Sequence, residues 1–155
     1  MGAMLLINSL LVTLVVVIHY EFLYRTYRLL RQISLRYRYR VLLGVFAALL
    51  AHLVAVWLYG IGYYLINLNG ALGSLQGNIV GSVWDCVYFS FTTYSTVGYG
   101  DIEPIGHLRF MAGMESLTGL VLITWSASML FLEMQRYWGP WMTGALQVTR
   151  CELVY

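Results

Sequence analysis

Long apolar runs alternate with short polar stretches along this chain of 155 residues. The first run covers residues 3–18 and reaches the length of a tilted membrane crossing when it extends to Tyr24, since a spanning helix needs about 20 residues. Residues 41–66 and 108–132 are long enough without extension. The pattern predicts an all-α membrane protein with three spanning helices. For the first run, a helix lying in the membrane interface is the main alternative.

The composition supports this placement. Hydrophobic residues make up 60% of the chain and charged residues 10%, whereas soluble domains average about 25% charged residues. The net charge of +2 gives no reason to expect a nucleic-acid partner. Cys86 and Cys151 lie too far apart for a CxxC motif, a metal cluster or a disulfide framework. We therefore expect membrane lipids as partners, and neither nucleic acid nor a cofactor.

The arginines set the expected topology. Most of the nine basic residues lie between the first two apolar runs, at Arg25, Arg28, Arg31, Arg36, Arg38 and Arg40. The positive-inside rule places this stretch in the cytoplasm, and an apolar stripe opposite the arginines predicts an amphipathic helix on the inner membrane surface. The resulting multi-pass protein of the cell (inner) membrane would have an extracytoplasmic N-terminus and a cytoplasmic C-terminus.

A fourth apolar segment, residues 82–95, is too short to cross the membrane. Its 14 residues would form a helix of ~21 Å against a hydrocarbon core of ~30 Å. Ser82 and Asp85 have the spacing of a capping box, which predicts a helix start. Residues 67–82 before it form an uncharged Gly/Asn/Ser stretch, predicted to be an extracytoplasmic loop. Gly139 and Pro140 are predicted to end the last helix.

The stretch TTYSTVGYGD, residues 92–101, follows the short helix directly. Irregular backbone at membrane depth is tolerated only where protein buries it or where it lines a water-filled path. Gly98 and Gly100 permit positive φ, so that consecutive carbonyl groups can face one side. Four such strands around an axis would form rings of oxygens that replace the hydration shell of a cation. The short helix would point its negative C-terminal end at that cation.

Thr96-Val97-Gly98-Tyr99-Gly100 is the complete filter motif of potassium channels. Over residues 41–136 the chain resembles the pore module of bacterial two-transmembrane potassium channels, with an outer helix, a pore helix, a selectivity filter and an inner helix. The resemblance implies that the carbonyl groups of Thr96, Val97, Gly98 and Tyr99, with the Thr96 hydroxyl, bind dehydrated K⁺. It also implies a homotetramer.

The same resemblance implies roles for residues around the filter. Asp101 would brace its outer mouth, and Tyr88 and Phe89 would belong to an aromatic cuff that receives the Tyr99 ring. Some relatives carry a pore-helix Glu that pairs with the Asp after the filter, whereas this chain has Thr92 there. Asp101 is therefore expected to find a different partner.

Several polar residues within the spans have two interpretations. Glu115 is either a proton-sensitive brace behind the filter or a buried acid that hydrogen-bonds to a pore-helix hydroxyl such as Ser90. His52 and His19 are either pH sensors or hydrogen-bonded packing residues. Gly119 matches the hinge glycine of the family's inner helix.

The sequence thus predicts passive, potassium-selective conduction. The expected organisation is an N-terminal membrane helix with an Arg-rich amphipathic segment (1–40), the pore module (41–136) and a short cytoplasmic tail (137–155) without a cytosolic ligand-binding domain. A non-conducting or regulatory membrane subunit of a channel assembly is the alternative. An enzyme is not expected, since no nucleophile motif such as G-x-S-x-G is present.

Overall fold

The structure, a computed structural model, describes residues 2–32, 37–70 and 72–152. Within these ranges the chain forms four helices and two short strands. In order they are α1 (Gly2–Gln32), α2 (Tyr37–Asn69), β1 (Gly73–Gly77), α3 (Val83–Tyr94), β2 (Ile102–Gly106) and α4 (Leu108–Glu152). This order matches the predicted one of an N-terminal helix, an outer helix, a pore helix and an inner helix.

Three of the helices are long and apolar enough to cross a membrane, over Gly2–Leu30, Tyr39–Asn69 and Leu108–Gln135. Large apolar side chains on their outer faces remain exposed, among them Leu6 at 74% and Phe46 at 61%. Such faces are unfavourable in water and suit a hydrocarbon environment. The prediction of an all-α, multi-pass membrane protein is confirmed, with a small two-stranded sheet added to it.

The Arg-rich segment differs from the predicted separate amphipathic helix. Arg25 and Arg28 lie near the end of α1, and Arg40 lies in the first turn of α2. The Arg40 guanidinium donates hydrogen bonds of 2.9 and 2.6 Å to the carbonyl oxygen of Leu30 and so joins the two helix ends. Because Arg and Leu are good helix formers, the spanning helices continue into this segment. Arg36 lies outside the described residues.

The predicted loop before the pore helix contains a strand. β1 pairs with β2 in antiparallel register, from Gly73 opposite Gly106 to Gly77 opposite Ile102. A Cβ on Gly77 would lie 2.2 Å from the carbonyl oxygen of Asp101, so only glycine fits this close approach. The pairing ties the segment before α3 to the residues that follow the filter.

α4 continues through Gly139 and Pro140 to Glu152. The prediction that this pair ends the inner helix was wrong. Proline removes one backbone hydrogen bond and its ring clashes with the preceding turn, at a cost of about 3 kcal/mol. The turns on both sides keep their own bonds, and in this long helix they outweigh that local loss.

The core lies behind the pore helix, where α3 packs against α2 and α4. Tyr59 and Tyr63 of α2 are fully buried there, together with Met111 of α4. Gly60 makes the packing possible, since a Cβ at this position would lie 2.9 Å from the α carbon of Val87. α1 packs along α2 and α4, so that the fold fixes the short helix at one position relative to all three long helices.

Candidate functional site

The pore helix begins and ends with side-chain caps. The Asp85 amide donates to Ser82 Oγ at 3.2 Å, and the Ser82 and Val80 amides each donate to Asp85 Oδ2 at 3.0 Å. This is the predicted capping box, and these amide donors, Ser82 first, lower the pKa of Asp85. At the other end Ser95 is the C-cap, and its Oγ donates to the carbonyl oxygen of Phe91 at 2.7 Å. The predicted short helix is confirmed.

The chain then turns sharply into the candidate filter. The Thr96 amide donates to the carbonyl oxygen of Thr93 at 3.0 Å, and the Gly98 amide donates to that of Thr92 at 3.1 Å. φ is positive at Gly98 (53°) and Gly100 (77°), as their spacing predicts, and also at Thr96 (60°). For a non-glycine residue this conformation costs about 1–2 kcal/mol. The strain lies where the chain leaves the helix.

Residues 95–100 are exposed in the single chain. Tyr99 is 71% exposed, and Trp84 (70%) and Phe91 (51%) form an uncovered aromatic face on α3. The expected cuff members Tyr88 and Phe89 lie on different sides of this helix. Tyr88 belongs to the exposed side, whereas Phe89 is buried. A cuff around Tyr99 is therefore incomplete within one chain.

Phe89 instead belongs to the core behind the pore helix. Its ring packs edge-on against Tyr63 of α2, with the ring centroids 5.0 Å apart. The sequence motif places Phe89 next to Tyr88, but a helix turns by about 100° per residue. Adjacent residues therefore face different neighbours.

Asp101 interacts with Tyr88 of α3. This interaction between the two side chains raises the pKa of Tyr88. Thr92 does not replace the missing acid, because its hydroxyl donates to the carbonyl oxygen of Phe89 at 3.0 Å. The residue after the filter is thus connected to α3 one helical turn before Thr92.

Glu115 is fully buried on α4 and joins three helices. Ser90 Oγ of α3 lies 2.5 Å from Glu115 Oε1, the contact predicted for a satisfied buried acid. Tyr63 of α2 donates a second hydrogen bond of 2.6 Å to Oε2, which the sequence did not predict. Ser90 also donates to the carbonyl oxygen of Val56 at 2.9 Å. The acid therefore holds the pore helix between the outer and inner helices.

The inner helix also contacts the C-terminal end of α3. Ser116 Oγ donates to the carbonyl oxygen of Thr93 at 3.0 Å, a contact without a signal in the sequence. At Gly119 an added Cβ would lie 2.2 Å from the carbonyl oxygen of Tyr94. Close packing thus requires glycine at this position, whereas the hinge role of Gly119 stays a prediction.

The two intramembrane histidines are close neighbours. His52 Nδ1 of α2 lies 2.9 Å from the Tyr94 hydroxyl oxygen, and His19 Nε2 of α1 lies 2.9 Å from Ser126 Oγ of α4. The centroids of the two imidazole rings are 4.8 Å apart. Both histidines are hydrogen-bonded, as the packing interpretation predicts, and their proximity was not predicted.

Comparisons with known proteins agree with this geometry. An ion channel family matches residues 51–136, more than half of the chain, including α3 and every residue of the candidate filter. Protein LctB of Geobacillus stearothermophilus is 33% identical over 66 residues, which cover 39% of this chain and 49% of that protein. The chain thus matches about half the length of this relative, and no solved structure matches it. From the family match and the arrangement of its helices, the chain belongs to the ion channel family.

Proposed function

We propose that this protein is a potassium-selective channel subunit and that Thr96-Val97-Gly98-Tyr99-Gly100 is its selectivity filter. The observation that carries the proposal is the position of this motif in the fold. It begins directly after the C-cap of the only short helix among the described residues, with positive φ at Gly98 and Gly100. A potassium filter needs this irregular backbone, because carbonyl groups that alternate in direction cannot form one continuous file of ligands.

The proposed assembly is a homotetramer. One chain supplies one filter strand, and a ring of carbonyl oxygens around an ion needs four. The exposed side chains of Trp84, Phe91, Val97 and Tyr99 support this, because a neighbouring subunit would cover their apolar surface. In a ring with cyclic symmetry, this face of each chain would lie against a different face of the next chain, and the same contact would repeat four times.

Conduction in this proposal is passive. A K⁺ ion exchanges its water shell for carbonyl oxygens of Thr96, Val97, Gly98 and Tyr99, with the Thr96 hydroxyl at the inner end. The dipole of α3 favours a cation near the C-terminal end of that helix. Potassium is the permeant ion, and neither a cofactor nor a chemical reaction is involved.

Polar contacts behind the filter support its shape in this proposal. Asp101 is held through Tyr88, and Ser116 holds the last turn of α3. The pairing of β1 with β2 begins next to Asp101, at Gly77 opposite Ile102. These contacts lie on both sides of residues 96–100 and hold the two ends of the proposed filter strand. The middle of the strand would face the fourfold axis of the proposed tetramer.

The arginines support an orientation of the subunit. Arg25, Arg28 and Arg40 lie at the adjoining ends of α1 and α2, where the positive-inside rule predicts the cytoplasm. The filter follows the opposite end of α2 along the chain. We infer an extracytoplasmic N-terminus, an outward-facing filter mouth and a cytoplasmic C-terminus in the cell membrane.

Flux through purified protein in liposomes tests the proposal. K⁺ and Rb⁺ should pass, while Na⁺ and Li⁺ are largely excluded. Gly98→Ala should abolish selective flux, since Ala at φ 53° costs about 1–2 kcal/mol in each subunit. Gly113→Ala is the matched control, because a Cβ there meets no atom within 4 Å. Equal Na⁺ and K⁺ flux from folded tetramers would contradict the selectivity, and no flux at all would favour a non-conducting subunit.

A further inference from the structure

A chain of polar contacts connects α1 to the end of the pore helix. Ser126 contacts His19, the His19 ring lies beside the His52 ring, and His52 contacts the Tyr94 hydroxyl. His19 and Tyr94 are buried, with 1% and 3% of their surface exposed. All four helices contribute one residue to this chain. α1 contributes His19 although it lies outside the residues that the ion channel family matches.

Tyr94 is well placed to pass on a change at the histidines. It is the last residue of α3, and Ser95 and Thr96 follow it directly. Its backbone carbonyl faces Gly119 of α4 without room for a Cβ, so the backbone of Tyr94 has little freedom on that side. At the other end of the same residue, the Tyr94 hydroxyl is hydrogen-bonded to His52 Nδ1. Release of the hydroxyl would therefore change the support of the turn at Thr96.

Protonation changes what an imidazole ring can bind. A neutral ring has one donor and one acceptor nitrogen, whereas an imidazolium has two donors. His52 Nδ1 can accept the Tyr94 hydroxyl hydrogen only in the neutral ring. Two imidazolium rings with centroids 4.8 Å apart would repel each other strongly in an apolar span. A proton on this pair therefore favours a different arrangement of His52.

The surroundings give the His52 ring space for such a change. His52 and Tyr94 both line a cavity of about 550 Å³ between α2, α3 and α4. Tyr94 is the ionisable group of α3 that contacts the pair, and Tyr59 of α2 and Glu115 of α4 lie near it.

On α1 the nearest acid to His19 in sequence is Glu21. Glu21 forms an ion pair with Arg25 at 3.2 Å. Glu21 therefore has a cation partner of its own.

We propose that His19 and His52 are positioning residues that couple α1 to the pore-helix end through Tyr94 and make conduction sensitive to protons. This rests on the proposed potassium conduction. A neutral His52 accepts the Tyr94 hydroxyl hydrogen and favours the conducting filter. Protonation of His52 reverses this hydrogen bond and leaves the Tyr94 hydrogen without its acceptor. α1 then has a functional role, because His19 fixes the position of His52.

Flux measured against pH tests the coupling. K⁺ flux of the wild type should fall about fivefold between pH 8 and pH 4, the size of change that loss of one hydrogen bond produces. His52→Gln and His19→Gln should conduct selectively with a flat pH response. His107→Gln is the matched control: His107 lies between β2 and α4, away from the pair, and this variant should keep the wild-type response.

A second measurement does not depend on conduction. Thermal unfolding of His52→Gln, Tyr94→Phe and the double variant should reveal coupling between the two positions at pH 8 that is lost at pH 4. Absence of coupling at pH 8 would overturn the inference. So would selective K⁺ flux in the wild type that does not change with pH, which leaves the proposed function intact. Absence of any flux from folded tetramers would overturn both.

Discussion

The α carbon of Gly119 packs against the carbonyl group of Tyr94 so closely that an added Cβ would lie 2.2 Å from its oxygen. The obstacle is backbone, which cannot rotate aside as a side chain can. This contact fixes the middle of the inner helix against the last residue of the pore helix. The identity of Gly119 therefore has a packing reason that is independent of any hinge motion.

Gly119→Ala should destabilise the protein. Overpacking of a tight contact typically costs about 1–3 kcal/mol, and α3 would have to shift away from α4 next to the filter. Thermal unfolding in detergent measures this loss. Gly113→Ala, on the same helix with no atom within 4 Å of an added Cβ, should instead be neutral or stabilising by up to about 1 kcal/mol. Equal stability of the two variants would contradict the packing argument.

Tyr88→Phe should weaken the filter without unfolding the chain. The change removes the hydroxyl that binds Asp101 and keeps the aromatic ring. Because Tyr88 is 41% exposed, solvent screens this interaction and the effect on global stability should be small. We expect K⁺ flux that decays faster during sustained recording.

Tyr24→Phe on α1 is the control for this variant. The Tyr24 ring stacks on Tyr20, and within the part of the chain that the structure describes no contact connects it with residues 96–101. Its flux should match the wild type. If Tyr88→Phe keeps stable flux while Asp101→Asn loses it, Asp101 acts through another group.

Three spans require termini on opposite sides of the membrane. Reporters fused to the N-terminus and the C-terminus should therefore report different compartments, with the C-terminal one in the cytoplasm. The helices over Gly2–Leu30, Tyr39–Asn69 and Leu108–Gln135 are each long enough to cross. If both reporters lie in the cytoplasm, α1 lies on the membrane surface and the three-span topology is wrong.

Local signals predicted the pore helix well. The capping box of Ser82 and Asp85 and the positive φ at Gly98 and Gly100 depend on neighbouring residues. The contact of Glu115 with Ser90 was predictable because a buried acid needs a hydroxyl or amide partner. These features follow from residue types and spacing, with little influence from the rest of the fold.

Other features depend on pairing between distant parts of the chain. β1, with the sequence GSLQG, has little strand propensity and forms because it pairs with β2. The contact between the His19 and His52 rings requires α1 to pack at one register on α2. Tyr63 lies in an aromatic-rich part of α2 and is buried against Glu115. Sequence pattern places aromatic residues at one end of a helix without telling which face turns inward.

The hydrogen-bond geometry around Glu115 favours a neutral carboxyl group. Ser90 carries one hydroxyl hydrogen, and its oxygen lies 2.9 Å from the Val56 carbonyl and 2.5 Å from Glu115. The Val56 carbonyl can only accept. When Ser90 donates there, the contact with Glu115 needs a hydrogen from the carboxyl group, while Tyr63 donates to the other carboxyl oxygen. A protonated Glu115 satisfies all three contacts together.

Glu115→Gln should therefore keep tetramer assembly and potassium flux. The amide NH₂ can donate to Ser90 and the amide oxygen can accept from Tyr63, so that each contact keeps a partner. Glu115→Ala should be worse by about 1–3 kcal/mol, because it leaves buried hydroxyl groups unpaired and opens a cavity. Unfolding temperature and flux against pH compare the two variants.

If Glu115→Gln is as damaging as Glu115→Ala at every pH, the negative charge is required and the neutral brace is wrong. If Gln conducts normally but flattens the pH response, Glu115 itself is a proton sensor. In that case the His52→Gln variant should still show the part of the pH dependence of K⁺ flux that is lost in the Glu115→Gln variant.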